Sequence, residues 1–389
     1  MSKIKYDYLI VGAGIIGLTI AYELLKRDNL LKIAIVEKEL DVAKHASGRN
    51  SGVLHSGFYY SAESLKAKFT VEGNRKMKEF CKDNNIFVNP TQKLVVAKDE
   101  NELEGIYELH RRAKVNGVKT RIVDEDEVKK IDSNVKTYKK ALFSPSTASV
   151  DPKEVCLALK EVLQKQGVEF YFNTPFEKSS LKYDYLINSA GLYADKIAKK
   201  FGLAKEYTML PFKGIYLKYL DDKSAIKTNI YPVPNLANPF LGVHYTITVD
   251  GDIKIGPTAI PAFWRENYEG LENFVFSEFV EILYYASKLF VLNSFNFRDL
   301  ALSEIKNYNR KVFIQKARDM VFSIGSNFKA IPPGIRAQLL NTRTNELIQD
   351  FVVEHTETST HILNAVSPAF TCSFAFAKYV VDEIDKNRG

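Results

Sequence analysis

The strongest constraint on the fold is a glycine-rich turn between two apolar segments near the amino terminus. Residues 8–17 read YLIVGAGIIG, a segment of helical period runs on to Arg27, and a second apolar run ends in Glu37. Apolar run, glycine turn, helix and apolar run in this order are typical of a βαβ unit. The sequence therefore predicts a Rossmann-like domain at this end of the chain.

Each glycine of this turn has its own expected place. Gly12 makes the tight turn, Gly14 lets the backbone approach a pyrophosphate, and Gly17 allows close packing of the helix on the strand. The first turn of the helix offers unpaired N–H groups and the positive end of its dipole to phosphates. Glu37, twenty residues after the last glycine, is placed to accept hydrogen bonds from ribose hydroxyls. These features together predict dinucleotide binding.

A second informative segment follows at close range, HASGRNSGVLHSGFYY at residues 45–60. It combines six small hydroxyl or glycine residues with two histidines and an arginine. A core strand would not tolerate this mixture, and a solvent loop would rarely bring two tyrosines. The composition suits a backbone that runs closely past a flat polar ligand.

Composition limits the remaining classes of function. The chain has 389 residues, 46% of them hydrophobic, which is enough for a large core and about two domains. The net charge of +7 comes from scattered lysines, without an arginine-rich stripe or zinc-finger spacing. We therefore expect neither nucleic-acid binding nor a metal site. The mild basicity suits an anionic lipid surface or a dicarboxylate substrate.

The cysteines and the amino terminus bear on location. Cys81, Cys156 and Cys372 are far apart and show no C-x-x-C spacing, as in proteins of a reducing compartment. The apolar stretch near the amino terminus is interrupted by Asp7 and Glu23, which a signal peptide would not carry. We expect a protein that is cytoplasmic in its bulk.

Later segments extend the predicted architecture. A strand ending in small residues at 183–191 and a helix at 194–201 repeat the logic of the first unit, which suggests a second backbone approach to the same ligand. Alternating apolar patterns between 211 and 307 favour an antiparallel sheet. A final helix at about 370–386 begins in small and hydroxyl residues. The fold class is therefore α/β with an α+β second domain, and the nucleotide domain is discontinuous.

One apolar segment allows two interpretations. Residues 274–292 read FVFSEFVEILYYASKLFVL and have helical period. The segment is either a buried helix or an interfacial helix that docks peripherally on the inner face of the cell membrane. The second interpretation would suit delivery of electrons to quinone.

Several motifs along the chain resemble one known family. They are VGAGIIGL (11–18), the segment 45–60, PFKGIYL (211–217), FLGVHYT (240–246), GPTAIPAF (256–263), GIRAQLL (334–340) and NAVSPAFTCSFA (364–375). In these the chain resembles the flavoproteins of the D-amino acid oxidase superfamily. The segments around His55, His244 and Arg336 are most similar to its members that oxidise L-2-hydroxyglutarate.

This resemblance implies FAD as the cofactor and a division into two domains. Residues 1–85, 141–205 and 325–389 would form the FAD-binding domain, and 86–140 with 206–324 the substrate-binding domain built on an antiparallel sheet. The late segment 367–371 would aim N–H groups at the flavin and stabilise its anionic reduced form. The residues expected to contact FAD are Gly12, Gly14, Gly17, Glu37, Lys38, Ser47, Arg49, Asn50, Ser51, Gly52, Ala190, Gly191, Ser367, Ala369 and Thr371.

Two histidines are candidates for the base that the oxidation of an alcohol requires. Histidine suits this role because its ordinary pKa lies near operating pH. We favour His244 as the base and expect His55 to contact flavin or substrate. Either could instead be a core histidine that hydrogen-bonds a backbone carbonyl.

Binding of a dicarboxylate needs cations. Arg336 leaves a turn after two prolines, and its planar fork matches a carboxylate. For the second carboxylate, Lys213, Arg49 and Arg265 remain open alternatives. Tyr60 and Tyr245, together with Tyr59, are candidate lining residues of the substrate pocket.

The resemblance implies oxidation of L-2-hydroxyglutarate to 2-oxoglutarate by hydride transfer to flavin N5. Electrons would pass to quinone or to oxygen. Another superfamily member that acts on an amino acid or on glycerol 3-phosphate is the alternative, since a carboxylate-binding arginine fits amino and hydroxy acids alike. A binding protein without catalysis is the alternative of a different class.

Overall fold

The protein is described here from a computed structural model that covers residues 4–234 and 241–388. Phe240, the first residue of the FLGVHYT motif, lies outside the described residues. The strands are β1 (Lys5–Val11), β2 (Ile33–Val36), β3 (Val53–Leu54), β4 (Lys93–Val96), β5 (Arg121–Asp124), β6 (Lys140–Ser144), β7 (Ala148–Ser149), β8 (Glu169–Tyr171), β9 (Lys182–Asn188), β10 (Tyr207–Tyr219), β11 (Asn229–Pro232), β12 (His244–Ile247), β13 (Ile253–Gly256), β14 (Ile260–Pro261), β15 (Phe328–Asn341), β16 (Glu346–Leu347), β17 (Val352–Thr356) and β18 (Ser359–Asn364). The α-helices are α1 (Ile15–Arg27), α2 (Leu65–Asp83), α3 (Leu103–Val115), α4 (Glu125–Ile131), α5 (Pro152–Lys165), α6 (Ala194–Lys200), α7 (Phe276–Leu292), α8 (Phe297–Ile305), α9 (Arg310–Arg318) and α10 (Ala369–Arg388).

A first sheet carries the predicted dinucleotide unit at its centre. Its strand order is β17-β18-β9-β1-β2-β8. Pairing is parallel from β18 to β8, and only the edge strand β17 is antiparallel among the described strands. The central strands are continuous apolar runs because helices cover both faces of the sheet. This arrangement confirms the predicted Rossmann-like architecture.

The two strand–turn–helix units meet as neighbours in this sheet. β9 pairs directly with β1, so the turns that follow them lie side by side. The hydroxyl of Ser189, just after β9, donates to the carbonyl of Val11 at 2.8 Å. Two backbone turns therefore reach the same edge of the sheet, as the repeated pattern at 183–191 predicted.

A second sheet has the order β16-β15-β10-β13-β12-β11-β4-β6-β5, with β14 added to β10. Its pairs are antiparallel except for β4 with β11. β15 pairs along β10 in this second sheet, although its residues fall in the segment that we assigned to the first domain. The domain boundaries themselves stay a prediction.

Helix α7 differs from the buried-helix interpretation of residues 274–292. Only Glu278, Ile282 and Leu289 are buried among its residues. Phe276 is 70% exposed and Val291 is 71% exposed. The buried-helix interpretation is therefore wrong, since much of the apolar surface of α7 faces outward. No helix in the described ranges is long and apolar enough to cross a membrane.

Candidate active site

A cavity of about 870 Å³ lies where the two sheets meet. Its walls come from the turns after β1 and β9, the segment 43–64, strand β15 and the start of α10. This volume is near the upper end of the range of about 300–1,000 Å³ that ligand pockets occupy. The cavity therefore has room for a large cofactor and a small substrate together.

The glycine turn shapes one end of the cavity. Gly12 has φ +101°, and a Cβ there would lie 2.7 Å from the carbonyl oxygen of Ser189. Gly14 is the N-cap residue of α1 and has no side chain to cap the helix, so the first turn of α1 opens toward the cavity. A Cβ on Gly17 would meet the Gly12 carbonyl at 2.1 Å, which is the packing role predicted for it.

Glu37 is held at the carboxyl end of β2 by backbone donors. Its Oε2 accepts from the N–H of Ala13 at 2.8 Å, and its Oε1 accepts from the N–H of Glu39 at 2.9 Å. The carboxylate thus lies against the glycine turn and lines the cavity. This is the place expected for a group that binds a ribose.

Lys38 lines the cavity within a small charged cluster. Its Nζ lies 2.7 Å from Glu266 and pairs with Glu39, which also contacts Nε2 of His45 at 2.9 Å. Glu39, His45 and Glu266 converge closely enough to hold a cation, but the Lys38 ammonium already contacts both carboxylates. The cluster therefore fixes the wall of the cavity, and the expected absence of a metal stays a prediction.

The segment 45–55 lies along the cavity in an irregular conformation. The hydroxyl of Ser47 accepts from the N–H of Ile15 at 2.9 Å, which ties the segment to the start of α1. The guanidinium of Arg49 stacks on Tyr268 at 4.2 Å and donates from Nε to the carbonyl of Lys44 at 2.9 Å. Ser47, Arg49, Asn50 and Ser51 line the cavity. Gly52 does not, because it packs on the Val150 carbonyl, which a Cβ would meet at 2.2 Å.

The start of α10 closes the cavity opposite the glycine turn. Thr371 does not cap the helix; its hydroxyl accepts from the N–H of His55 at 3.1 Å and donates to the carbonyl of Val53 at 3.3 Å. Ser367, Ala369 and Thr371 line the cavity. The late segment and the segment around His55 are thus joined by direct hydrogen bonds at the cavity wall.

These features fit a flavin dinucleotide. Any side chain at Gly12 or Gly17 would fill the glycine cradle. Apart from the Ile15 N–H, which Ser47 accepts, the first turn of α1 offers its N–H groups to a pyrophosphate. The Glu37 carboxylate lies against the same turn, where a ribose is expected. Ala190 and Gly191 add the second turn to the same wall. The individual contacts with a bound cofactor stay predictions.

His244 faces the cavity from β12 and is only 5% exposed. Its ring stacks on Tyr231 with centroids 3.7 Å apart, and its Nδ1 lies 2.8 Å from the carbonyl oxygen of Gly242. Burial lowers the pKa of His244 to about 3. The imidazole is therefore neutral at pH 7, and since a carbonyl can only accept, Nδ1 carries the proton and Nε2 the lone pair.

His55 lies on the same wall, 7% exposed. Burial, with smaller contributions from Lys93 and His244, holds the pKa of His55 well below its usual value. Its Nδ1 is buried and has no hydrogen-bond partner within the described part of the chain. Such an atom is costly unless a ligand or a water meets it, so His55 is suited to contact what the cavity binds.

Arg336 extends from β15 into the cavity and is half-buried. Its Nη1 donates to the carbonyl of Thr258 at 2.8 Å, which fixes the guanidinium. The charge of Arg336 contributes to lowering the pKa of His244, so the two groups share one region of the cavity. The structure therefore brings together the three residues for which we predicted catalytic roles.

Two residues predicted to bind substrate lie elsewhere. Lys213 is buried in β10 and is absent from the described cavity wall, while Gly214 lines it. Tyr245 is fully buried in the core of the second sheet, next to His244, which faces the cavity. Side chains alternate between the two faces of a strand. Gly214 and His244 therefore face the cavity, and their neighbours Lys213 and Tyr245 do not.

Arg265 is likewise unavailable to a substrate. Its guanidinium is buried and makes a bidentate pair with Asp195, with Nη1–Oδ1 at 2.6 Å and Nη2–Oδ2 at 2.9 Å. Of the three alternatives for a second cation, only Arg49 lines the cavity. Tyr60 and Tyr59 line it as predicted.

Several residues of this region were not predicted from the sequence. Tyr231, Lys66 and Glu304 line the cavity, and Lys93 lies behind Tyr59 and Tyr231. Each belongs to an ordinary strand or helix pattern with no motif around it. The pairing of β4 with β11 and the packing of segment 45–60 on them bring Lys93 and Tyr231 together.

The fold is shared with solved flavoenzymes. L-α-glycerophosphate oxidase from Mycoplasma pneumoniae, solved with FAD bound, superposes with a TM-score of 0.76 at 21% identity, over 98% of this chain and 95% of that one. Glycine oxidase from Bacillus cereus gives a TM-score of 0.71 at 16% identity, over 99% and 96%. At these identities the likeness shows the fold alone.

Sequence relatives are more similar. A protein named L-2-hydroxyglutarate dehydrogenase from Escherichia coli is 34% identical over 97% of this chain and 93% of its own length. The protein of the same name from Indibacter alkaliphilus is 34% identical over 97% and 98%. The human mitochondrial L-2-hydroxyglutarate dehydrogenase is 32% identical over 99% and 90%.

The family description that fits this chain covers almost all of it. Residues 7–383 match the DAO family, described as FAD dependent oxidoreductase. The match includes the glycine turn, both histidines of the cavity wall, Arg336 and the start of α10. With relatives above 30% identity over nearly the full chain, this shows that the protein belongs to the FAD-dependent oxidoreductase family.

Proposed function

We propose that this protein is an FAD-dependent dehydrogenase that oxidises L-2-hydroxyglutarate to 2-oxoglutarate. The observation that carries the proposal is the meeting of His244, in its neutral form, with Arg336 on one wall of the cavity. The names of the relatives from bacteria and animals support the same substrate.

His244 is the proposed base. Its Nε2 takes the proton of the substrate hydroxyl, because Nδ1 is committed to the Gly242 carbonyl. Stacking on Tyr231 fixes the plane of the ring. A base needs its unprotonated form at operating pH and a fixed orientation toward the proton, and burial with these two contacts provides both.

Arg336 is the proposed partner of the carboxylate next to the reacting carbon. The Thr258 carbonyl orients the guanidinium, and the planar fork suits a carboxylate better than a lysine would. His55 lies on the same wall, where Thr371 fixes its backbone and its buried Nδ1 has no hydrogen-bond partner among the described residues.

FAD, when bound, supplies the acceptor for the hydride that leaves the hydroxyl-bearing carbon. Glu37, Lys38, the glycine turn and the segments 47–51, 190–191 and 367–371 are the proposed cofactor contacts. The buried walls exclude water from the reacting end, which strengthens the attraction between Arg336 and an anionic substrate.

The test is product formation with an artificial electron acceptor. Protein incubated with L-2-hydroxyglutarate and a redox dye should reduce the dye and release an equal amount of 2-oxoglutarate. The D-enantiomer, glycine, sarcosine and glycerol 3-phosphate should give little reduction. Turnover of one of these compounds without turnover of L-2-hydroxyglutarate would contradict the proposed substrate.

For the electron acceptor we propose a membrane quinone, reached through an apolar docking face on α7 and α8. Phe276, Tyr284, Val291 and Leu292 are among the exposed apolar residues of this face. The segment that follows carries exposed basic residues, Arg298, Lys306, Arg310 and Lys311, and one exposed carboxylate, Asp299. An apolar face followed by a mostly basic segment suits peripheral binding to a bilayer that contains anionic lipid.

A further inference from the structure

Lys93 in β4 is a fully buried lysine, 0% exposed. Its Nζ has neither a hydrogen-bond partner nor an ion pair within the described residues. Aromatic rings surround it instead: Nζ lies 3.8 Å from the ring centroid of Tyr231, 5.2 Å from that of Tyr59 and 5.8 Å from that of Phe58. Ring faces attract a cation, but they do not replace the water that an ammonium loses on burial.

No carboxylate of the described residues balances this charge. Burial alone lowers the pKa of Lys93 to about 7, without a compensating contribution from a carboxylate. The residues outside the described ranges, 1–3, 235–240 and 389, contain no aspartate or glutamate that could provide one. A buried, unpaired cation opposes folding, so Lys93 readily loses its proton near pH 7. An anion that enters from outside the chain would favour its charged form.

The position of Lys93 indicates where that anion would lie. Tyr59 and Tyr231 contact Lys93 and also line the cavity. Tyr231 stacks on His244, and the charge of Lys93 contributes to the lowered pKa of both His244 and His55. The ammonium therefore acts electrostatically on the reacting end of the cavity without opening onto it.

Two cations of the cavity wall have anions at hand. Arg112 contacts Glu108 at 2.8 Å, and Lys66 is close enough to Asp350 for that carboxylate to raise the pKa of the lysine against the effect of burial. Arg49 lines the cavity without a carboxylate partner among the described residues, but its guanidinium is held by the Tyr268 ring and the Lys44 carbonyl. Lys93 has neither a carboxylate nor a carbonyl partner in the described part of the chain.

We propose that Lys93 is the positioning residue that makes the site selective for a dianion, by supplying from behind Tyr59 and Tyr231 the charge that holds the second carboxylate of the substrate. The inference rests on the proposed function and adds the residue that separates a dicarboxylate from a monocarboxylate. The charge of Lys93 can attract the carboxylate across the rings of Tyr59 and Tyr231, because no water screens it there. Lys93 touches no reacting atom.

The experiment compares Lys93→Met with the wild-type holoenzyme on L-2-hydroxyglutarate and on L-2-hydroxybutyrate, which lacks the second carboxylate. Methionine keeps the length of the side chain and removes the charge. We expect KM for the diacid to rise about 10-fold or more, which is about 1.4 kcal/mol. KM for the monoacid and kcat for the diacid should change by less than about 3-fold, which is below 0.7 kcal/mol. The melting temperature should stay the same or rise, because an unpaired buried charge is gone.

Two controls keep the result interpretable. Lys93→Gln keeps a polar head without charge and should lose selectivity as Lys93→Met does; retained selectivity in the glutamine variant would overturn the electrostatic role. Lys213→Met removes another buried lysine of the second sheet, one that does not line the described cavity wall. That variant should keep the ratio of the two KM values.

Other outcomes are equally decisive. Equal losses on both substrates, with a lower melting temperature, would show that Lys93 is structural and would overturn the proposal. Unchanged selectivity with a large negative shift of the flavin midpoint potential would assign the charge to the cofactor and overturn it as well. If the wild type turns over neither hydroxy acid, the proposed function fails; if it turns over the diacid and Lys93→Met keeps its selectivity, only this inference fails.

Discussion

His244 and Tyr231 stack with ring centroids 3.7 Å apart and an angle of 18° between their planes. The contact fixes the imidazole while Nδ1 donates to the Gly242 carbonyl at 2.8 Å. Tyr231 belongs to β11 and His244 to β12, which pair side by side in the second sheet. The orientation of the proposed base is therefore set by the sheet and not by a mobile loop.

Replacing His244 should slow the chemical step while the cofactor stays bound. We expect His244→Gln to lower kcat by about 100- to 10,000-fold, the usual contribution of a general base. The glycine turn and Glu37 are distant in the fold from β12, so the flavin absorbance of the purified variant should match that of the wild type. His110→Gln, on the face of α3, is the control and should leave kcat unchanged. Loss of flavin from the His244 variant would point to a structural role.

Arg336→Lys should weaken substrate binding. A lysine keeps the charge but loses the planar pair of donors, and charge-assisted hydrogen bonds of this kind contribute about 1.5–3 kcal/mol. KM for L-2-hydroxyglutarate should therefore rise about 10- to 100-fold. Steady-state kinetics at saturating dye measure it. A KM within about 2-fold of the wild type would exclude a direct contact of Arg336 with the substrate carboxylate.

The protein should lose stability in mild acid. Burial lowers the pKa of His55, of His244 to about 3, and of His361 to about 4, all below the ordinary value of 6.5. Between those values the unfolded chain binds more protons than the folded one, so stability is complete above pH 6.5 and falls as the pH decreases. His244 and His361 should each cost about 2 kcal/mol at pH 5, and His55 adds a loss of the same sign.

Urea unfolding at pH 7, 6 and 5 measures this loss. His244→Gln removes one of these groups and should show a shallower decrease than the wild type. An equally steep decrease in the variant would mean that His244 is protonated in the folded protein.

Lys93 should produce a second window of the same sign at higher pH. Its pKa is lowered from 10.5 to about 7 in the folded protein, so the unfolded chain binds the extra proton between these values. Stability should therefore rise with pH from 7 to 9, by about 1.4 kcal/mol per pH unit from this group alone. The unfolding free energy of the wild type minus that of Lys93→Met should therefore increase by about 1.4 kcal/mol for each pH unit from 7 to 9. A difference independent of pH would contradict a depressed pKa.

The docking face should bind anionic vesicles. Phe276→Ser with Val291→Ser removes two of its exposed apolar side chains, and the double variant should float with phosphatidylglycerol vesicles less than the wild type at low salt. Phe87→Ser, an exposed phenylalanine outside this face, is the matched control and should bind as the wild type does. Wild-type protein that remains in the soluble fraction would contradict membrane docking.

Local patterns were enough to predict the dinucleotide-binding unit of this protein. Gly12, Gly14 and Glu37 lie within one βαβ unit, where short sequence spacing determines which groups meet in space. The segment 45–60 follows directly and stays close to that unit. To predict that these residues lie close together, one does not need to know how distant strands pair.

The residues on the substrate side are brought together by the pairing of strands that are far apart in the sequence. Local sequence patterns do not reveal which strands pair. Lys213 and Arg336 both belong to motifs, but β10 and β15 pair so that Arg336 lies opposite Phe212. Lys213 therefore points to the other face. Lys93 is one lysine among many in the chain, and nothing around it in QKLVVA marks it. Only the contact with Tyr231, more than a hundred residues away, reveals its position.

The most direct test of the account is an anaerobic single turnover. Holoenzyme mixed with L-2-hydroxyglutarate without oxygen should lose its oxidised flavin absorbance, and His244→Gln should do so at least 100-fold more slowly at saturating substrate. Flavin that stays oxidised with L-2-hydroxyglutarate but is reduced by glycine or glycerol 3-phosphate would contradict the proposed substrate. An unchanged rate in the His244 variant would contradict the proposed base.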